Sequence, residues 1–116
     1  MKLKLGKLPA RHAVSFNFRD FFNAAALPSP PAVFGHYATV HDFEMLGNDQ
    51  YGDCAWAGAA HETMIWSREG TRAPAQFTTA DVLSDYAAVT GFDEKKPGSD
   101  QGTDMQVAAS YRRKTC

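Results

Sequence analysis

Gly47-Asn48-Asp49-Gln50-Tyr51-Gly52-Asp53-Cys54-Ala55-Trp56-Ala57-Gly58-Ala59-Ala60-His61-Glu62 is a polar, glycine-punctuated loop that delivers a cysteine to the start of a small-residue helix. At a helix N-terminus, unpaired backbone N–H groups and the positive end of the dipole favour a thiolate, so this placement makes Cys54 a candidate nucleophile. Gly52 permits a tight turn, and Asn48 or Gln50 offers a side-chain amide to an oxyanion. The backbone N–H of Cys54 itself faces the place where a tetrahedral oxygen would form. Two features pull the other way. Free cysteine is among the most buried residue types and often only packs. Asp53, directly before it, sets a negative charge against a thiolate.

Working outward, the helix headed by Cys54 is expected over residues 54–68, ended by Gly70. Its first half is small (Ala57, Gly58, Ala59, Ala60) and its second bulky (Met64, Ile65, Trp66), the composition of a buried helix. A second helix is announced by Phe77-Thr78-Thr79-Ala80-Asp81, a hydroxyl cap with an acid in the first turn, and runs through Val82, Leu83, Tyr86 and Val89 to Gly91. A third is expected from Thr103, with Gln106 completing a capping box, to about Lys114. Upstream, Val14-Ser15-Phe16-Asn17-Phe18 alternates like a half-buried strand, and residues 21–27 suit a helical turn or two. Pro28-Ser29-Pro30-Pro31 forbids helix and serves as a rigid connector, and residues 33–40 are aromatic and β-branched enough for a strand. Phe43, Met45 and Leu46 anchor the loop that leads to the opening stretch. The expected fold is α+β and mainly helical, three helices around the Cys54 helix with short extended N-terminal segments. Residues 1–45 read as arm and extended segments, and 46–116 as the helical lobe.

With 12 Lys and Arg against 13 Asp and Glu, the net charge of -1 supplies no electrostatic reason for a nucleic-acid partner. No run approaches the ~18 apolar residues that span a bilayer, and residues 1–7 lack the apolar core of a signal peptide, so neither membrane insertion nor secretion is expected. Cys54 and Cys116 lie 62 positions apart, which is neither a zinc spacing nor a disulfide framework. His36, His41, Asp42 and His61 show no compact ligand spacing, and Asp93, Glu94, Asp100 and Asp104 read as solvated loop charges without the order of a calcium loop. Neither a metal nor another cofactor is therefore expected.

A nucleophilic thiol needs a base within hydrogen-bond reach. His61 shares a helix side with Cys54 but stands about 10 Å along the axis, at 1.5 Å per residue, so it makes a core contact or faces solvent. His36 and His41 lie upstream and are the base candidates that folding back would have to deliver. His12 is in the arm.

The order of these signals over residues 45–116 resembles the N-terminal half of a papain-like cysteine peptidase. That family has an amide before a cysteine that opens an alanine-rich helix with a nearby tryptophan, as Asn48, Gln50, Cys54 and Trp56 do here. Its capped helix is similar to residues 77–86, and its glycine-led helix to residues 102–111. The wording is also similar to uncharacterised papain-like proteins of bacteriophages and prophages. The resemblance implies Cys54 as nucleophile and Asn48 or Gln50 as oxyanion donor. Departures accompany it: the family's glutamine lies six positions before the cysteine, where this chain has Asn48, while Gln50 is four before, and the tryptophan follows one position late. The family also takes its base histidine from a β-rich second half, whereas this sequence continues only 62 residues past Cys54. The expectation is a non-catalytic structural or binding protein on a papain-like helical lobe, phage-encoded, in the host cytoplasm or a particle, with a protein partner or self-association. The alternative is one half of a split cysteine hydrolase whose base comes from outside this chain.

Overall fold

A computed structural model describes residues 7–8 and 20–115. The strand expected over 14–18, His12 and Cys116 lie outside the described residues. Among those described the fold is mainly helical: α1 (Cys54–Thr71), α2 (Thr79–Thr90) and α3 (Met105–Thr115), with a two-residue strand β1 (Lys7–Leu8) pairing in parallel with β2 (Thr103–Asp104). Among the described residues no helix is long and apolar enough to cross a membrane.

In α1 the buried positions Trp56, Ala57, Ala60 and Met64 form one stripe at helical period. With Leu46, Val82, Leu83, Tyr86, Phe92 and Ala108 from the loops, α2 and α3, most of that stripe builds the core. The alanines let α2 approach closely. Tyr86 is fully buried, stacked on Phe92 with ring centroids 4.8 Å apart.

The start of α2 follows its sequence. Thr78 accepts the Asp81 N–H while the Asp81 carboxylate accepts the Thr78 N–H, a complete capping box, and Gly91 closes the helix with φ 73°. The end of α1 does not. It runs through Gly70 to Thr71, and a left-handed Arg72 (φ 64°) donates its N–H to the Arg68 carbonyl. A side chain at Gly70 would meet only open space, so glycine there costs the helix about 1 kcal/mol without breaking it. Thr71 Oγ1, bonded to the Ser67 and Ala73 carbonyls, holds the added turn.

Two other expectations need correction. Residues 33–40 form no strand; Tyr37–Thr39 is a 3-10 turn in which the His36 carbonyl accepts both the N–H and the hydroxyl of Thr39. Val33 and Phe34 are exposed, so the apolar composition there covers no sheet face. The third helix starts two residues later than Thr103. Asp104 is its cap, accepting the N–H groups of Gln106 (2.8 Å) and Val107 (3.3 Å). The Thr103 hydroxyl is taken instead by the buried indole N–H of Trp56 at 3.0 Å.

Replacing Thr103 by Val therefore leaves a buried indole N–H without an acceptor. We expect a loss of about 1–3 kcal/mol in urea unfolding together with an upfield move of the Trp56 indole proton in NMR. Asp104→Ala is expected to cost about 1 kcal/mol and to leave that proton in place.

Candidate functional site

The loop of residues 47–53 is folded by its own backbone before it reaches Cys54. The Gly47 carbonyl accepts the N–H groups of both Gln50 and Tyr51 at 2.9 Å, and Asn48 donates to the Met45 carbonyl. Gly47 itself has φ 98°, and a Cβ there would stand 2.9 Å from an Asp53 carboxylate oxygen, so glycine is required twice over. The loop's far end is held from outside. The Gly52 N–H donates to both oxygens of Asp100 (3.0 and 3.2 Å), Tyr86 donates its hydroxyl to the same carboxylate at 2.7 Å, and Gly102 donates its N–H to Tyr86. Asp100 is thus no solvated loop charge but a part-buried acceptor joining three segments. Burial first, and then the bond to Asp100, push the Tyr86 phenol up to about 12.

Asp53 occupies the N-cap position of α1. Its carbonyl accepts the N–H groups of Trp56 (2.8 Å) and Ala57 (3.1 Å), but its side chain caps nothing. The carboxylate is fully buried, turned against Gly47 near Leu83 and Thr79, and among the described residues neither oxygen has a hydrogen-bond partner. Burial pushes its pKa up to about 6; the nearby dipole of its own backbone N–H opposes that shift, and the charges of Asp100 and Asp49 add to it. The burial of Asp53 was not legible in sequence, since its surroundings come from residues far along the chain.

Cys54 is the first residue of α1, a free thiol, part-exposed at the mouth of this loop. Asn48 is part-exposed and Gln50 exposed on the same loop, so both amide candidates belong to the segment that leads into the thiol.

The histidines are placed elsewhere. His61 sets Nε2 3.0 Å from the Phe43 carbonyl and 3.2 Å from that of Glu44, with its ring edge-on to Phe43. It fastens the upstream segment to α1 at the edge of the core. His36 Nδ1 lies 3.4 Å from the Glu69 carboxylate in the last turns of α1, about 22 Å along the axis from Cys54 at 1.5 Å per residue. His41 is exposed. Among the described residues neither base candidate makes a hydrogen bond to the thiol. Among the described residues no group of three His, Cys, Asp or Glu side chains could hold a metal ion.

The site can present a part-exposed thiol at a helix start, with two amides on the loop that leads into it and a buried carboxyl on the preceding residue. Comparison of the chain with family models, with curated proteins and with solved structures finds no match.

The sign of the pH dependence follows from Asp53. Its folded pKa of about 6 lies above the ordinary carboxyl value of 3.8, so the proton favours the folded state. Stability is then full below about pH 4, falls as pH rises toward 6, and stays reduced above it, by up to about 3 kcal/mol. Urea unfolding from pH 4 to 7 should show this decline in the native chain and a flatter profile in Asp53→Asn, whatever constant offset the amide adds.

Proposed function

We propose that this chain is a non-catalytic binding or structural protein built on the helical lobe of the papain-like proteins it resembles, carried by a phage or prophage. The observation that supports this reading is the engagement of its histidines: His61 is bonded to two backbone carbonyls and His36 to Glu69 at the far end of α1. His41 is exposed and makes no hydrogen bond to Cys54 among the described residues, so no described histidine stands ready to take the thiol's proton.

The partner is a protein or a second copy of the chain. Phe21, Val33, Phe34 and Trp66 are each more than 60% exposed, and Phe22, Leu27 and Met45 are also open to solvent. So many large apolar side chains on a small surface suit an interface. A split cysteine hydrolase is the second reading, favoured by the part-exposed thiol at the first position of α1. In that reading Cys54 attacks an acyl carbon, Asn48 or Gln50 faces the oxyanion, and another chain brings the base.

Two measurements separate these readings. The isolated chain should hydrolyse neither peptide nor ester substrates, and iodoacetamide should alkylate Cys54 no faster than an unstructured thiol peptide. A rate ~100-fold higher would overturn the non-catalytic reading. Sedimentation velocity over a range of concentrations should show reversible self-association, or a stable complex once a partner is supplied. Trp66→Glu should weaken that association while α1 stays folded. A strict monomer that captures no partner would count against the binding role.

A further inference from the structure

A half-open hollow of about 140 Å³ lies between α1, α2 and α3, apart from the Cys54 loop. Beside Trp56, α1 lines it with the small side chains Ala59, Ala60 and Thr63. Ala59 and Ala60 leave the space that Trp56, Phe77 and Val82 enclose. Cavities of about 150 Å³ with apolar walls accept benzene, so this one is large enough for a single aromatic ring.

Its rim is charged and unbalanced. Asp81 and Asp85 stand one turn apart on α2, with Cβ atoms about 6 Å apart, and both line the hollow. Each is fixed through one oxygen. Thr78 holds Asp81 through Oδ2, by its N–H at 2.8 Å and its hydroxyl at 2.7 Å, and these bonds keep the carboxyl below the usual range, hence anionic at neutral pH. The Tyr111 hydroxyl reaches Asp85 through Oδ1 at 3.3 Å. The second oxygen of each carboxylate has no hydrogen-bond partner among the described residues. Arg112, the cation on the rim, lies 3.5 Å from Glu62, which does not line the hollow, so the two lining carboxylates stand against one guanidinium that is already engaged.

We infer that this hollow binds a small aromatic ammonium compound, with its ring on the Trp56–Phe77–Val82 floor and its cation between the free oxygens of Asp81 and Asp85. Charge selects the ligand and the floor selects its size: an anion of the same shape would meet the excess carboxylates, and a bare cation would leave the apolar floor wet. The site is independent of the reading given to Cys54.

Titration of the full chain with 2-phenylethylammonium chloride, followed by ¹H–¹⁵N correlation spectra, tests the inference. Saturable shifts are expected at the amides of Ala59, Ala60 and Val82, with phenylacetate and 2-phenylethanol binding at least ~5-fold more weakly, the size of a part-exposed ion pair. Asp85→Asn should lower affinity by a similar factor, and added salt should weaken binding. Ala59→Phe should abolish binding while the remaining spectrum stays native. Should that variant fail to fold, the ligand series and Asp85→Asn decide the matter. No saturable shift, shifts elsewhere, or equal binding of phenylacetate would overturn the site.

Discussion

The Asp100 carboxylate is the group on which the rest of the structure depends. It takes the Gly52 N–H with both oxygens and the Tyr86 hydroxyl with one, and Tyr86 in turn accepts the Gly102 N–H. Three segments far apart in sequence, the turn into α1, the middle of α2 and the approach to α3, are thereby held at one point. Charge-assisted bonds in a half-buried place are stronger than neutral ones, and leaving their donors without partners would be costly. The hydrophobic core supplies most of the stabilisation, but it does not dictate how the 47–53 loop turns. That direction comes from the latch, and the latch determines where Cys54 emerges.

A consequence is electrostatic. Drawing Gly52 toward Asp100 carries Asp53 inward, where its carboxylate lies against Gly47 and senses the charges of Asp100 and Asp49. The fold therefore places a buried, proton-sensitive carboxyl on the residue before the candidate thiol. One loop geometry produces both the exposure of Cys54 and the burial of its neighbour.

What the sequence made legible is what neighbours in sequence decide. Thr78 with Asp81, and Gly91 twelve residues after the start of α2 at Thr79, mark that helix because capping joins groups three or four residues apart. The start of α1 at Cys54 is also marked locally, by the turn that Gly52 permits just before it, although the Asp53 side chain does not cap it. The misread positions are those where a distant group competes for a local one. Thr103 looks like a cap until the Trp56 indole claims its hydroxyl from 47 positions away. Asp100 looks solvated, and its partner Gly52 lies 48 positions upstream. Residues 33–40 carry strand composition, but composition does not supply a neighbouring strand, and the local bonds of Thr39 to His36 prevail. Gly70 reads as a stop, yet a glycine facing open space can sit inside a helix when the following turn is held by Thr71.

The costs that the fold carries are not spread evenly. α2 begins with a complete capping box, and α3 begins on Asp104 with two N–H groups bonded to its side chain. α1 is the longest of the three and has a good capping residue in Asp53, yet that side chain is turned inward, uncapping the helix and burying a carboxylate with no partner among the described residues. A missing cap costs about 1 kcal/mol, and an unpartnered buried carboxylate costs more. Both fall on the residue preceding Cys54, along with the left-handed Gly47 that makes room for them. Departures from local consistency concentrate where a structure serves something besides its own stability. In this chain they converge on the residue before Cys54 and on the loop that delivers it, where the inward turn of Asp53, its missing cap and the left-handed Gly47 are one local arrangement.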